Sequence, residues 1–393
     1  MIDVAIVSAA RLINGKFLGS LKSLSAPDMG ALVIKEALKR ANDYDPAKLD
    51  EVIFGLVHQA GVRPNPARQA AVMAGVPYEV PSVTINKLCG TGLKSLEYAW
   101  QSIVTGQSEV IMVGGGESMS NVPYLLLGAR EGFKMGSQTL EDSLFYDGFQ
   151  CPVTDDIMGM TAENVAERFN ISREDQDEYA YESQMKAVTA IKAGKFASEI
   201  FPVEIKSKKS SFIADTDECQ REDITLEKLA KLRPSFKADG TVTAGNACSL
   251  SDSAAAFLVM SVDRAKAEGL RPLAVLRGFA SVGLDPKIMG FGPSPAIKKL
   301  LAKTGFSLKD IGLFEINEAF ASQSLAVIRD LGLNPSIVNV NGGAIAMGHP
   351  VGQSGLRITQ TLIREMKERG VKYGISALCI GGGQGIAALF EVE

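Results

Sequence analysis

The 393-residue chain is long enough for two or three domains with cores of their own, and its 46% apolar and 22% charged residues belong to a globular rather than a disordered protein. A net charge of -4 supplies no basic field for nucleic acid, no nucleic-acid motif is present, and no apolar run approaches the roughly 20 residues of a membrane helix. The five cysteines are odd in number and scattered, without Cys-x-x-Cys spacing, so no zinc or redox motif is expected and they read as reduced thiols of a soluble cytoplasmic protein.

In chain order, VAIVSAAR from Val4 predicts a strand, too short an apolar run for a signal peptide. LDEVIFGLVHQ from Leu49 predicts a second, and SVTIN from Ser82 a third, which runs into NKLCGTGLKS. Leu93, Leu96, Trp100 and Ile103 then share one helical face, and EVIMVGGG ends a further strand at Gly116. Residues 121–247 read differently, as Gly-, Asp- and Lys-rich stretches around one long helix that starts after the N-cap Ser172 and stops near Gly194. Such an inserted lobe on a rigid scaffold is a common way to build a substrate cover.

The remainder echoes the beginning. LAVLRGFASVG from Leu273 resembles the opening strand, IGLFEINEAF from Ile311 resembles LDEVIFGLVHQ, and PSIVNVN from Pro335 resembles PSVTIN from Pro81. Leu356, Thr359, Ile363 and Met366 repeat the helical face, and ISALCIGGG repeats the strand ending in three glycines. The second copy is about 13 residues longer (46 against 33 from proline to the first of the three glycines), and the extra length contains GGAIAMGHPVGQ. Two α/β halves with mostly parallel sheets are expected: 1–120, completed by about 248–270, and 271–393, with 121–247 inserted.

Cys89 stands where a strand gives way to a helix, so backbone N–H groups and the helix dipole favour its thiolate and predict a lowered pKa. Its own amide is a candidate oxyanion donor, and a buried, inert cysteine is the plain alternative. A thiol nucleophile needs a base, and the chain has two histidines. His349 occupies the turn that corresponds to the Cys89 turn in the other half, so a pseudo-twofold brings the two together; His58 has no comparable setting and reads as structural. Cys379, at the last apolar strand before a glycine run, is a candidate second acid/base or else a core cysteine. Gly381 has an amide to offer an oxyanion, and Asn317 in INEAF either holds a water or caps the helix that follows. The P-loop spacing of Gly343 and Gly348 lacks Lys-Ser/Thr, and GGGQG lacks a third dinucleotide-fingerprint glycine, so neither carries nucleotide chemistry.

Together NKLCGTGLKS, INEAF, NGGAIAMGHPVGQSGLR and LCIGGGQG, along with NPARQAA, GGGESMS, MGMTAENVA and TVTAGNA, resemble the thiolase family over nearly the whole chain. The resemblance implies two similar α/β halves packed as five layers, a dimer or tetramer, and ping-pong acyl transfer between coenzyme A thioesters without a metal or other cofactor. It makes Cys89 the acyl acceptor and His349 its base. Cys379 becomes the proton carrier at the acetyl carbon, and Asn317 with His349, and the amides of Cys89 and Gly381, the two oxyanion sites. The inserted lobe is implied to bind coenzyme A, with Arg221, Cys248, Met158, Ala247, Ile157 and Phe320 as substrate or coenzyme A contacts. Lys206, Lys208 and Lys209 read either as assisting or as a solvated charge run.

Departures from the usual pattern are Arg63 and Pro64 before NPARQ, Cys248 for a serine, Ser251-Asp252-Ser253 for Asn-Asp-Gly, and Ile157 where acetoacetyl-specific members often carry histidine. They bear on acyl-chain length rather than on the catalytic set. Two other readings are a decarboxylating ketosynthase, which needs a second catalytic histidine, and a non-catalytic acyl-CoA carrier, against which the joint presence of Cys89, Asn317, His349 and Cys379 argues.

Overall fold

Side chains alternate between two faces along each strand of the protein, and in the central strands both faces are buried. In Val110–Ser118, Val110 and Met112 join one apolar cluster while Ile111 and Val113 join another. The structure is a computed structural model that describes residues 2–206 and 210–393. Lys208 and Lys209 lie outside the described residues.

The first half orders its strands as Val4–Arg11, Ser251–Ser261, Val110–Ser118, Glu51–Leu56 and Ser82–Ile85. The second half repeats this order with Ala274–Gly283, Gln384–Glu391, Tyr373–Ile380, Leu313–Ile316 and a single bridge from Phe314 to Val338. The internal echo is thus a structural repeat, although PSIVNVN keeps only that bridge where PSVTIN forms a strand. The halves meet edge to edge where Val4–Ile6 pairs antiparallel with Ala274–Leu276.

The sheets are mixed rather than mostly parallel. Among the described residues, three of the eight neighbouring pairs are parallel and five antiparallel. The last strand follows its neighbour through the hairpin Gly381–Gly383, in which Gly382 and Gly383 take φ of +76° and +80°; so short a link permits only antiparallel pairing. Ser251–Ser261 likewise returns from the inserted lobe antiparallel to both its neighbours.

The two helices Thr91–Val104 and Ser354–Arg369 form the central layer. Leu93 and Leu96 from one, and Leu356, Leu362 and Met366 from the other, share a cluster with inward residues of both sheets such as Ile111, Phe257, Leu378 and Phe390. Ala26–Arg40 covers the outside of the first sheet, and Pro293–Thr304 with Ala321–Leu331 the outside of the second, which completes five layers. The central helices touch backbone to backbone: a Cβ on Gly355 would lie 2.4 Å from the Leu93 nitrogen, and one on Gly92 would lie 3.1 Å from the Gly352 oxygen. Only glycine permits the first turns of these helices to approach so closely.

Residues 121–247 wrap this body. Their long helix, Arg173–Lys192, begins in a Ser172–Asp175 capping box and ends before Gly194 at φ +69°. Buried Arg11 ties the segment down, donating to Asp217 at 2.8 and 2.9 Å and to Glu199 at 2.9 Å. Glu318 does the same beside INEAF, accepting from Tyr179 at 3.0 Å, Ser183 at 2.7 Å and Asn339 at 2.9 Å. Among the described residues, no helix is long and apolar enough to cross a membrane.

Candidate active site

The turn after Ser82–Ile85 is held by its own side chains. The Leu88 amide donates to Asn86 Oδ1 at 2.9 Å and the Lys87 amide to Thr91 Oγ1 at 2.8 Å. Leu88 adopts φ +48°, a left-handed conformation that costs a residue bearing a Cβ about 1–2 kcal/mol. Gly90 caps the helix Thr91–Val104, leaving Cys89 just ahead of it and half-buried.

The turn from the second half meets it. Gly348, at φ +83°, delivers His349, whose amide donates to the Ser249 carbonyl at 3.0 Å. Nδ1 of His349 lies 2.6 Å from Ser354 Oγ, and Nε2 lies 3.4 Å from Asn317 Nδ2. Asn317 is fully buried, and its Oδ1 has no partner among the described residues. The helix after INEAF has Phe320 as N-cap without a side-chain cap, so Asn317 does not serve as one.

Cys89, His349 and Gly381 line one cavity of about 70 Å³, with Leu88, Met289, Phe320 and Val351 among its apolar walls. Cys379 is the penultimate residue of the strand Tyr373–Ile380, fully buried and packed with Met289, Ala319 and Phe320. Burial, followed by the charges that Cys89 and Cys248 would carry, pushes the Cys379 thiol well above its usual range. Cys248 is pushed up to about 12 by burial first and then by Cys89, so the three sulfurs sense one another.

The expected low pKa of Cys89 is not found. Burial lifts it to about 11, the amides of Gly381 and of Cys89 itself only partly offset this, and nearby Glu117 adds to the rise. Apolar neighbours remove the water a thiolate needs, and two backbone amides do not make up the loss. His349 moves the other way, to about 3, through burial and then the charge of Arg357. The resting pair is therefore a neutral thiol and a neutral imidazole.

A second cavity, of about 340 Å³, adjoins the first and shares Phe149, Met158, Cys248 and Phe320 with it. It is also lined by Ile157, Arg221, Phe236 and Ala247, which brings together all six residues expected to contact substrate. Exposed Lys206 pairs with Glu204 at 3.4 Å. Arg63 is exposed, at φ +70°, and lines neither cavity. Buried Asp252 accepts from the Ser120 amide at 2.9 Å, a structural use of the departing Ser-Asp-Ser segment.

Several residues escaped the sequence reading. His58, expected to be structural and badly placed for a site, lines the same cavity as Cys89. Buried Glu117 accepts from the His58 amide at 3.0 Å and from the Gly352 amide at 3.0 Å, joining the two halves beneath the site. Ser354 and Arg357 tune His349; their spacing on the helix after the His349 turn was the available signal.

Comparison with known proteins agrees with this geometry. The profile described as "Thiolase, N-terminal domain" matches residues 4–263, and "Thiolase, C-terminal domain" matches residues 270–392. The chain is 51% identical over 392 residues to an acetyl-CoA acetyltransferase of Cupriavidus necator, covering 100% of both. It is similar to the Bacillus anthracis acetyl-CoA acetyltransferase structure, with 44% identity, a TM-score of 0.97, and coverage of 100% of this chain and 99% of that one. Human mitochondrial 3-ketoacyl-CoA thiolase in complex with CoA gives 45% identity and a TM-score of 0.95, over 100% of this chain and 98% of that one. With both domains matched and relatives aligned from end to end, the chain belongs to the thiolase family.

Proposed function

We propose that the protein catalyses reversible Claisen condensation of acyl-CoA thioesters, joining two acetyl-CoA into acetoacetyl-CoA and CoA, or cleaving a 3-ketoacyl-CoA with CoA. The observation that carries this reading is the enclosure of Cys89, His349 and Gly381 in one cavity, continuous in its lining with the cavity at Arg221. The bound CoA in the human relative's structure supports assigning that larger cavity, and the lobe of 121–247, to coenzyme A.

In thiolysis, Cys89 sulfur adds to the C3 carbonyl as its proton passes to His349 Nε2. The developing oxyanion is held by the amides of Cys89 and Gly381. The C2–C3 bond then breaks; the electron pair leaves with the acetyl-CoA fragment, whose enolate oxygen is held by His349 with a water on Asn317, and Cys379 returns a proton to its carbon. A thiol kept protonated by burial suits that donation. CoA then attacks the acyl group on Cys89: its thiol proton goes to the Cys379 thiolate, His349 returns the first proton to the departing Cys89 sulfur, and condensation uses the same groups in reverse.

The same reading includes a homo-oligomer, dimer or tetramer, and a cytoplasmic location. The outermost strand, Ser82–Ile85, leaves an edge for a second copy to pair with, and all five cysteines are free. Supplying CoA and acetoacetyl-CoA to purified protein tests the activity: acetyl-CoA should form, and Cys89→Ala should lower the rate by at least about a thousandfold. Undiminished turnover in that variant would sink the mechanism, and light scattering on the purified chain checks the oligomer.

A further inference from the structure

The lining of the cavity at Cys89 includes an imidazole that the reaction above does not use. His58 is 3% exposed, lines that cavity, and has no hydrogen-bond partner at Nε2 among the described residues. The ring is held from its other side, where Glu117 Oε1 lies 3.1 Å from Nδ1. A carboxylate only accepts, so Nδ1 carries a proton. Gly148 packs against the Nε2 edge, where a Cβ would come within 2.2 Å, and the Phe149 ring tilts beside it at 6.0 Å between centroids.

The two cavities differ in a way that orients a substrate. Arg221, Ile157 and Phe236 line only the larger one, whereas Val57, His58 and Val351 line only the smaller. A thioester reaching Cys89 from the Arg221 side therefore sends its acyl chain on toward His58. A hydrocarbon chain there covers Nε2 and leaves it unpaired, at a cost of about 1–3 kcal/mol. An oxygen at the chain's end pairs with it. A hydroxyl both donates and accepts, so it satisfies Nε2 whether the ring is neutral or charged. Burial lowers the affinity of His58 for its second proton, but Glu117, the Leu144 carbonyl, an acceptor that only the charged ring can use, and Asp147 together outweigh this and raise it. A chain ending in carboxylate would add a third negative group beside Glu117 and Asp147, with one imidazolium at most to balance them.

We propose that His58 determines specificity, and that the protein acts on short 3-ketoacyl-CoA thioesters whose acyl chain ends in a neutral oxygen function, a hydroxyl group. The inference rests on the thiolase reading.

The test is kcat/KM for thiolysis of 3-ketoacyl-CoA chains of about five to eight carbons, each ending in a methyl, a hydroxyl or a carboxylate. At one or more lengths the wild type should favour hydroxyl over methyl by about tenfold, with carboxylate no better than methyl. His58→Leu should bring the hydroxyl-to-methyl ratio to about one, and His58→Asn should retain part of it. A ratio is indifferent to how much of a variant folds. A wild-type ratio near one, a ratio that survives His58→Leu, or a preference for carboxylate would overturn the proposal. If the wild type thiolyses acetoacetyl-CoA yet ignores the end group, only the role of His58 fails; if it thiolyses nothing, the thiolase reading falls with it.

Discussion

His349 Nδ1 lies 2.6 Å from the hydroxyl of Ser354, and that hydroxyl also lies 3.0 Å from the Pro350 carbonyl. One hydroxyl proton cannot serve both. The carbonyl accepts only, so it takes that proton, Nδ1 bears its own N–H, and Nε2 presents a lone pair toward Asn317. The tautomer needed for a base at Nε2 is thus set by a serine at the start of the following helix.

Removing that hydroxyl frees the ring to take the wrong tautomer. Ser354→Ala should slow acylation of Cys89 by about 10- to 100-fold while KM changes little, and Ser354→Thr should recover most of the loss. Single-turnover acylation with acetyl-CoA measures this directly, and an alanine variant acylating at the wild-type rate would remove Ser354 from the proton path.

A resting thiol at about 11 beside an imidazole at about 3 has a definite pH signature. The thiolate fraction of Cys89 should rise close to tenfold for each pH unit through the neutral range, because the group stays below its pKa until strongly alkaline conditions. Alkylation by iodoacetamide should follow that line between pH 6 and about 9.5 without a plateau. A resting thiolate–imidazolium pair would instead give a rate already level near neutrality. Substrate turnover should be nearly flat over the same range, since the proton moves from sulfur to His349 only as the sulfur attacks.

The close approach of the central helices makes Gly355 sensitive to a single methyl group. Gly355→Ala places a carbon 2.4 Å from the Leu93 nitrogen, and backbone on that side cannot swing away as a side chain would. The strain should destabilise the protein by about 1–3 kcal/mol. Because Leu93 and Gly355 follow the Cys89 and His349 turns, kcat should fall beyond what the lost stability explains. Thermal denaturation beside steady-state kinetics separates the two effects.

Much of this arrangement is legible in the chain itself. VAIVSAAR and LAVLRGFASVG echo each other because they are equivalent strands meeting at the pseudo-twofold, and the Cys89 and His349 turns converge because the same operation relates them. What the residues do to one another is less visible. The upward shift at Cys89 and the downward shift at His349 depend on walls contributed by Val57, Met289, Phe320 and Val351, residues scattered over the whole length. His58 reads as structural because its partner Glu117 is 59 positions away and the Phe145–Phe149 turn that covers it has no periodicity. The antiparallel returns at Ser251–Ser261 and Gln384–Glu391 leave the same alternation of apolar residues as parallel strands buried on both faces.

Glu117 joins these threads, since it is fully buried and serves both halves. Oε1 accepts from the His58 amide at 3.0 Å, and Oε2 accepts from the Gly352 amide at 3.0 Å and, more weakly, from the Val57 amide at 3.3 Å. Glutamine retains one oxygen only, so Glu117→Gln turns an N–H pair toward donors on one side and should destabilise the fold by about 1–3 kcal/mol. Its other effect has the opposite sign. Glu117 is one of the charges that raise the Cys89 pKa, so losing it should increase the thiolate fraction and speed alkylation at any pH below that pKa. Glu117→Gln should therefore melt earlier, alkylate faster and turn over more slowly, because Gly352 and the His349 turn lose an anchor. Glu117→Asp keeps the charge and should leave alkylation close to wild type. Slower alkylation in the glutamine variant would show that Glu117 acts on Cys89 through packing rather than through its charge.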